Sequence, residues 1–129
     1  TSNWVDGGDR ARDSELQLWT ARGDNNPCPS GYHVPTEQEW REFHQAVTGS
    51  LSKDYTNQMW GQNKLPNLAA AGYRDLGNGL LYDNPSYGYY WSSSASSAYS
   101  GRNMSFRDNY SKIGGYNRAS GYSVRCIKD

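Results

Sequence analysis

The segment that decides the fold is Ser86–Gly121, with the sequence SYGYYWSSSASSAYSGRNMSFRDNYSKIGGYNRASG. Ten Ser, six Tyr, five Gly and three Asn fill 24 of its 36 positions, and small polar residues of this kind cannot build a core. Trp91, Met104, Phe106 and Ile113 recur at intervals that predict short strands packed on another part of the chain. Flat aromatic rings among small polar groups are typical of an evolved binding surface. A solvated, loop-rich segment without a ligand has the same composition.

The rest of the composition predicts one domain spanning residues 1–129, with a modest core. The chain has 13 basic and 13 acidic residues, scattered rather than clustered, so we expect no nucleic-acid partner. There is no apolar run of membrane length and no signal-peptide pattern at the N-terminus. We therefore expect a mature or excised domain that does not insert into membranes.

The chain has two cysteines, Cys28 and Cys126. One disulfide between them would close a very long loop and stabilise the fold by about 4 kcal/mol in the chain-entropy model. Buried free thiols and a catalytic thiol are the alternatives. Neither cysteine has a neighbouring Lys or His, or a CxxC partner, that would indicate an activated thiolate. We predict the disulfide, and with it an exported protein.

The clearest local signal is the segment Cys28–Trp40, CPSGYHVPTEQEW. Its Thr36 and Glu39 form a capping-box pattern, which predicts a helix from there to about Val47. The buried face of this helix is expected to comprise Trp40, Phe43 and Val47. His44 is expected at the boundary of that face. A second, weaker helix is predicted over Leu51–Trp60.

The second half of the chain has signals of short strands. Asn78–Gly79 predicts a tight hairpin turn between apolar flanks. Further strands are predicted at Tyr89–Ser93, Asn103–Arg107 and Tyr122–Lys128. Alternation in the last of these points Tyr122, Val124 and Cys126 toward the core. Helices in the N-terminal part of the chain followed by strands in the C-terminal part predict an α+β domain. The loops of the C-terminal part are expected to carry the function.

Three motifs together resemble the Fibrobacter succinogenes major paralogous domain: Cys28–Trp40, Gly88–Ser94 and Asn117–Cys126. The resemblance extends from about Leu18 to the end of the chain. It implies a C-type lectin-like fold of the formylglycine-generating-enzyme-like branch. In that fold one or two helices pack on short antiparallel strands with long loops.

The same branch includes the variable proteins of diversity-generating retroelements, which the chain also resembles. In those proteins a reverse transcriptase rewrites a C-terminal coding stretch at template adenines. An AAC codon for Asn then yields Ser, Asp, Tyr, Gly or Ile, but never a stop. The resemblance implies candidate diversified positions at Ser96, Ser97, Tyr99, Gly101, Ser105, Asp108, Tyr110, Ser111, Gly114, Gly115 and Tyr116. Fixed family members are also rich in these residue types here.

The expected function is that of a non-catalytic ligand-binding display domain in phage receptor binding or bacterial adhesion. Its ligand would be a protein or glycan on a cell surface, and the domain would be part of a larger surface or phage protein outside the cell. Tyr90, Trp91 and Tyr122 are expected to be scaffold residues. The candidate binding residues are Tyr89, Ser96, Ser97, Tyr99, Gly101, Arg102, Ser105, Arg107, Asp108, Tyr110, Ser111 and Tyr116.

Two alternatives compete with this expectation. A fixed, lectin-like domain that binds carbohydrate is the first, although the calcium-binding tripeptides usual in lectins of the implied fold do not occur. An enzyme of the formylglycine-generating type is the second. It requires a reactive cysteine pair, whereas Cys28 and Cys126 are better explained as a structural disulfide. No catalytic motif occurs either, so we expect no enzymatic activity, no cofactor and no bound metal.

Overall fold

The computed structural model describes residues 25–61, 68–97 and 99–129. Within these ranges the chain forms one helix, α1 (Glu37–Thr48), and eight strands. Five strands are only two residues long, and three have eight residues each. The strands are β1 (Tyr32–His33), β2 (Lys53–Asp54), β3 (Tyr73–Arg74), β4 (Leu81–Tyr82), β5 (Gly88–Ala95), β6 (Ser100–Arg107), β7 (Tyr110–Asn117) and β8 (Ile127–Lys128).

The fold is β-rich, with 37% of the described residues in strands and 12% in the single helix. The prediction of an α+β, C-type lectin-like fold is therefore wrong. The main reason is that the Ser-, Tyr- and Gly-rich segment, expected to form short strands with long loops between them, forms the three longest strands of the described residues, beside a single helix.

The central sheet has four strands in the order β2-β7-β6-β5, all antiparallel. β5, β6 and β7 are consecutive in sequence and joined by short connections. Tyr90, Met104 and Ile113 lie opposite one another across these three strands. Because successive side chains of a strand alternate between faces, this row marks the face of the sheet that contacts α1.

The core lies between α1 and this inner face of the sheet. The Trp40 ring contacts the Tyr90 ring at a centroid distance of 5.9 Å, and the Trp40 Nε1–H donates to the Trp91 carbonyl at 3.2 Å. Phe43 and Val47 pack against this cluster, as predicted. Its buried members are Trp40, Met59, Tyr90, Met104, Phe106 and Ile113.

The ends of α1 follow from its sequence, and the predicted capping box is confirmed. The Glu39 backbone N–H donates to the Thr36 side chain at 3.1 Å, and the Thr36 N–H donates to the Glu39 carboxylate at 3.0 Å. These bonds satisfy amides that would otherwise have no partner at the start of a helix. At the other end Gly49 has φ 82°, a left-handed conformation that favours glycine.

His44 is fully buried, and its predicted position at the boundary of the helix face is wrong. Its Nδ1 lies 2.5 Å from the Ser50 carbonyl, and its Nε2 lies 2.8 Å from the Ser111 hydroxyl. The carbonyl can only accept, so Nδ1 donates to it and Nε2 accepts from Ser111. Both ring nitrogens are satisfied, and His44 therefore joins α1 to β7 inside the core.

The predicted second helix over Leu51–Trp60 does not form. Lys53 and Asp54 pair instead with β7. The Ser50 hydroxyl accepts from the Lys53 N–H at 3.3 Å, and the Asp54 carboxylate accepts from the Thr56 N–H at 3.2 Å. Side-chain bonds of this kind compete with helical backbone bonds, which explains the error.

The predicted hairpin at Asn78–Gly79 is confirmed, since it joins the paired strands β3 and β4. The predicted strand Tyr122–Lys128 is only partly formed. Its regular part is β8, which pairs with β1. Val124, expected in the core, is 41% exposed because the chain before β8 is not extended strand.

The predicted disulfide between Cys28 and Cys126 is confirmed, with 5.7 Å between the Cα atoms. It lies beside the β1–β8 pair and connects residues 98 positions apart. A disulfide is consistent with an extracellular or other non-cytoplasmic location. Of the helical residues that the structure describes, none belongs to a helix long and apolar enough to cross a membrane.

His33 lies between two carboxylates near the disulfide. Its Nε2 is 2.9 Å from Glu39 and its Nδ1 is 2.7 Å from Asp129. Burial lowers the pKa of His33, but the hydrogen bonds and charges of Asp129 and Glu39 outweigh burial and raise it above 6.5. Only the doubly protonated ring can donate to both carboxylates at once.

We expect the free energy of unfolding to fall as pH rises above about 6.5. The pKa of His33 is higher in the folded than in the unfolded state, so His33 stabilises the fold fully at pH values below its pKa in the unfolded state. This stabilisation is lost as the pH rises through the pKa of His33 in the folded state. Denaturant titrations from pH 6 to 9 measure this effect. The matched control is His33→Gln, in which the free energy of unfolding should depend less on pH. If it depends on pH as steeply in this variant as in the parent, the assignment to His33 is contradicted.

Candidate functional site

The outer face is the face of the central sheet opposite α1. Its residues follow from strand register, since directly paired residues share a face. One row comprises Tyr89, Ser105, Lys112 and Lys53, one residue from each strand. Neighbouring rows add Trp91 with Asn103 and Gly114, Arg107 with Tyr110, and Gly101 with Tyr116.

A tyrosine cluster borders the outer face, and Tyr122 is at its centre. The Tyr122 ring stacks on Trp91 at 4.4 Å and on Tyr89 at 4.8 Å between centroids. It also contacts Tyr73 and Tyr116, both at 5.9 Å. Such ring pairs stabilise beyond the area they bury, by about 0.5–1.5 kcal/mol each. The complete tyrosine cluster is Tyr73, Tyr82, Tyr87, Tyr89, Trp91, Tyr116 and Tyr122.

The loop after β4 brings a carboxylate to this cluster. Asp83 has φ 59°, a conformation that Asp tolerates better than most residues. The Tyr89 hydroxyl donates to its Oδ2 at 2.8 Å. Gly72 allows the loop to approach, because a Cβ at that position would lie 1.9 Å from the Tyr82 carbonyl oxygen.

A cavity of about 320 Å³ opens on the outer face beside the cluster. Its volume falls at the lower end of the range for small-molecule sites, about 300–1,000 Å³. The walls are mostly tyrosine rings, with polar and charged groups between them. The lining residues are Tyr73, Asp83, Tyr87, Tyr89, Asn103, Ser105, Phe106, Arg107, Tyr110, Lys112, Gly115, Tyr116 and Tyr122.

Two polar side chains in this lining have no partner. Asn103 and Ser105 are 4% and 6% exposed. Neither the Asn103 amide nor the Ser105 hydroxyl forms a hydrogen bond with any described residue. Among the described residues, the side-chain atoms that are shut off from solvent without a partner are Ser93 Oγ and Ser120 Oγ, not those of Asn103 and Ser105. The polar atoms of Asn103 and Ser105 therefore reach the cavity, where they are available to a ligand.

The charges around the cavity are mainly positive. Arg107 and Lys112 line it, against one carboxylate, Asp83. Arg107 Nη1 donates to the Tyr87 hydroxyl at 2.7 Å, and its guanidinium lies 5.6 Å from the Tyr110 ring centroid. Within the described ranges neither Arg107 nor Lys112 forms an ion pair with a carboxylate.

Three tyrosines of the cluster, Tyr73, Tyr89 and Tyr122, stay protonated over the physiological pH range. Burial raises the pKa of Tyr73, Tyr89 and Tyr122 above the ordinary value near 10. The hydrogen bond and the charge of Asp83 raise that of Tyr89 further. These three rings of the cavity wall are therefore neutral, and the charged side chains of the lining are Asp83, Arg107 and Lys112.

The structure brings five of the predicted binding residues together around the cavity: Tyr89, Ser105, Arg107, Tyr110 and Tyr116. Four others are near but separate. Ser96, Ser97 and Tyr99 are exposed in the β5–β6 connection, and Asp108 is exposed in the β6–β7 turn. Gly101 is buried on the outer face, where an added Cβ would lie 3.1 Å from the Trp91 ring.

Arg102 and Ser111 lie on the inner face rather than with the other predicted residues. Arg102 forms an ion pair with Glu37 at 3.0 Å. Burial raises the pKa of Glu37, but Arg41 and Arg102 outweigh it and hold that pKa below its usual value. Ser111 is fully buried and donates to His44. Both residues connect the sheet to α1.

Sequence reasoning missed several cavity residues. The alternation of strand residues between the two faces of a sheet does indicate Asn103 and Lys112. Asn103 precedes the core residue Met104, and Lys112 precedes the core residue Ile113, so both belong on the opposite face. Nothing local indicates the other missed residues, since they are brought in from β3 and from the loops after β4 and β7. The missed residues are Tyr73, Asp83, Tyr87, Asn103, Lys112 and Tyr122.

The arrangement is suited to binding a small, ring-shaped chemical group by stacking, hydrogen bonds and charge. In residues 25–61, 68–97 and 99–129, no group of three or more His, Cys, Asp or Glu side chains is placed to hold a metal ion.

Comparisons with known proteins identify the family but no individual relative. No curated protein and no solved structure matches the chain. The model of the Fibrobacter succinogenes major domain matches residues 3–128, which is nearly the whole sequence. The chain therefore belongs to the Fibrobacter succinogenes major domain family.

Proposed function

We propose that the protein is a non-catalytic ligand-binding domain that uses the cavity on its outer face. The observation that carries the proposal is a pair of side chains in the cavity lining, Asn103 and Ser105, whose polar atoms have no hydrogen-bond partner among the described residues. These atoms reach the cavity, so a ligand can take the place of water at both of them.

The supporting surface is rigid. β5, β6 and β7 pair over their whole length apart from an irregularity between Trp91 and Ala95, and their inner face is packed against α1. Rigid tyrosine rings offer contact area with little loss of conformational entropy on binding. Asp83, the carboxylate in the lining, already accepts from Tyr89, which favours binding over proton transfer.

The proposed setting is a bacterial cell surface or a phage particle, with the domain part of a larger protein. The ligand would be a protein or a glycan on a cell surface. The Cys28–Cys126 disulfide supports a location outside the cytoplasm.

We further propose that a diversity-generating retroelement varies the outer face. In support, most candidate positions are exposed or line the cavity, including Tyr99, Asp108 and Tyr116. Gly101 and Ser111 are buried and are excluded from this proposal. Population sequencing of the gene tests it. Substitutions should concentrate at the exposed codons, beside a template repeat and a reverse transcriptase gene, and a uniform sequence without a repeat would contradict it.

Replacing Tyr99, Tyr110 and Tyr116 together with Ala should lower binding at least tenfold while the domain stays folded. Each ring is partly or largely exposed, so truncation removes contact area without opening the core. The measurement is retention of the labelled domain on whole bacterial cells and on a glycan array, beside circular dichroism.

The matched control is Tyr32→Ala, because Tyr32 is exposed to a similar extent but lies in β1, outside the cavity lining. This variant should bind like the parent. If the triple variant is folded and binds as well as Tyr32→Ala, the outer face is not the binding surface.

A further inference from the structure

We propose that the cavity binds one acidic sugar unit of a glycan, a pyranose ring that carries a carboxylate. This inference rests on the proposed function and names the ligand class for the same site. It combines three features of the lining: unpaired amide and hydroxyl groups, unpaired cations, and an open tyrosine ring.

The unpaired side chains match sugar hydroxyl groups. The Asn103 amide offers two donors and an acceptor, and the Ser105 hydroxyl both donates and accepts. A sugar hydroxyl also does both, so it can satisfy either side chain without leaving a new unpaired group. Asn103 and Ser105 belong to the same strand and the same face, two positions apart. Their side chains therefore present a short polar row along the floor of the cavity.

The positive side of the cavity matches a carboxylate. Lys112 lies directly beside Ser105 across the sheet, and Lys53 lies directly beside Lys112. Two lysines in such a cross-strand pair repel each other. A bound anion removes this repulsion, and Arg107 on the same face adds a guanidinium that can bond a carboxylate with two N–H groups.

Tyr116 provides the surface on which the sugar ring would stack. One face of its ring packs on Tyr122, nearly parallel at 14°, and the side chain is still 48% exposed. Tyr89, in contrast, has Tyr87 and Tyr122 stacked on its two sides. An aromatic ring with a free face can cover the apolar C–H side of a sugar while the hydroxyl edge meets Asn103 and Ser105.

The size of the cavity also fits a single ring. A volume of about 320 Å³ is far more than the roughly 10–15 Å³ that one bridging water needs. It is at the bottom of the range for small-molecule sites. The cavity is therefore matched to one sugar unit rather than to a long segment of a polymer.

Isothermal titration calorimetry with free monosaccharides tests the proposal. The intact domain should bind sodium glucuronate or sodium galacturonate. It should bind glucose, galactose and sodium acetate at least tenfold more weakly. Glucose and galactose lack the carboxylate, and acetate lacks the ring with its hydroxyls, so each control removes one of the proposed contacts. Binding of the uronate should weaken with added salt, because the exposed cations are screened.

Variants of the lining separate binding from stability. Lys112→Gln should weaken uronate binding about ten- to a hundred-fold, the range expected for a lost hydrogen bond to a charged group. Ser105→Ala should weaken binding with little change in the melting temperature, because the Ser105 hydroxyl faces the cavity and has no hydrogen-bond partner among the described residues. Lys128→Gln is the matched control, since Lys128 is an exposed lysine outside the lining, and it should bind like the parent.

The possible outcomes distinguish this inference from the proposed function. Equal binding of acetate and uronate would overturn the sugar assignment, and equal binding of neutral and acidic sugars would overturn the charge assignment. If no sugar binds but the tyrosine triple variant loses attachment to cells, the ligand is a protein, and only this inference fails. If no sugar binds and the triple variant attaches normally, both proposals fail.

Discussion

Removing the Cys28–Cys126 disulfide should lower the free energy of unfolding by about 4 kcal/mol. The disulfide closes a loop with a sequence separation of 98, and the entropy that it removes from the unfolded chain grows with the logarithm of loop length. A decrease of this size is a large part of the 5–15 kcal/mol typical of a domain. Urea titrations of Cys28→Ala/Cys126→Ala, against the oxidised parent, measure it.

The same titrations show whether the loss arises in the unfolded state. The unfolded variant is less constrained and exposes more surface, so the dependence of the unfolding free energy on urea should become steeper. Hydrogen exchange gives a local control. The Asp129 N–H donates to the Gly31 carbonyl beside the disulfide. In the variant without the disulfide, the protection of this amide from hydrogen exchange should decrease more than the protection of the β6 amides. A total loss below 1 kcal/mol would contradict the chain-entropy account.

Tyr122→Ala should destabilise the domain by about 3 kcal/mol, the lower end of the range for truncating a large aromatic residue. Tyr122 contacts four other rings, so the substitution disconnects the tyrosine cluster at its centre. Since Tyr122 also lines the cavity, ligand binding should decrease in the fraction that remains folded. Thermal denaturation followed by tyrosine and tryptophan fluorescence measures the change in stability.

Tyr122→Phe is the control for that experiment. The Tyr122 hydroxyl forms no hydrogen bond with any residue that the structure describes, so its removal should change stability by less than about 0.5 kcal/mol. A large loss in Tyr122→Phe would show that the hydroxyl, rather than ring packing, stabilises this region. A small loss in Tyr122→Ala would show that the cluster contributes little.

The helix could be predicted from sequence because its determinants are local. The bonds between Thr36 and Glu39 span three residues, and the glycine that ends the helix follows its last turn. His44 was placed wrongly since its burial depends on Ser111, which is 67 positions away in sequence. Local patterns contain no information about such a partner.

The composition of the segment underestimates the central sheet, whereas the alternation of its residues indicates the faces of the strands correctly. Met104, Phe106 and Ile113 were recognised as apolar positions of short strands, and they all lie on the inner face. Period-two alternation from those positions puts Arg102 on the inner face and Asn103 on the outer one. The abundance of Ser and Gly favours short strands with long loops between them, although small residues also fit long strands of a closely packed sheet.

The tyrosine cluster could not be predicted from local patterns. Tyr73 and Tyr122 are 49 positions apart in sequence and meet because Arg74 and Gly121 pair through two backbone hydrogen bonds of 3.0 and 2.8 Å. Neither residue belongs to a strand long enough to show alternation. The part of the site that is visible in sequence is therefore confined to β5, β6 and β7, and even there Asn103 and Lys112 are missed.

The position of the disulfide determines how the domain transmits mechanical force. Tension applied to the chain before Cys28 and after Cys126 passes directly through the covalent bond between them. The segment between the two cysteines, which contains α1 and strands β1 to β7, lies outside this load path and is not stretched. The outer face and its cavity therefore keep their shape under a pull that would unravel the reduced chain.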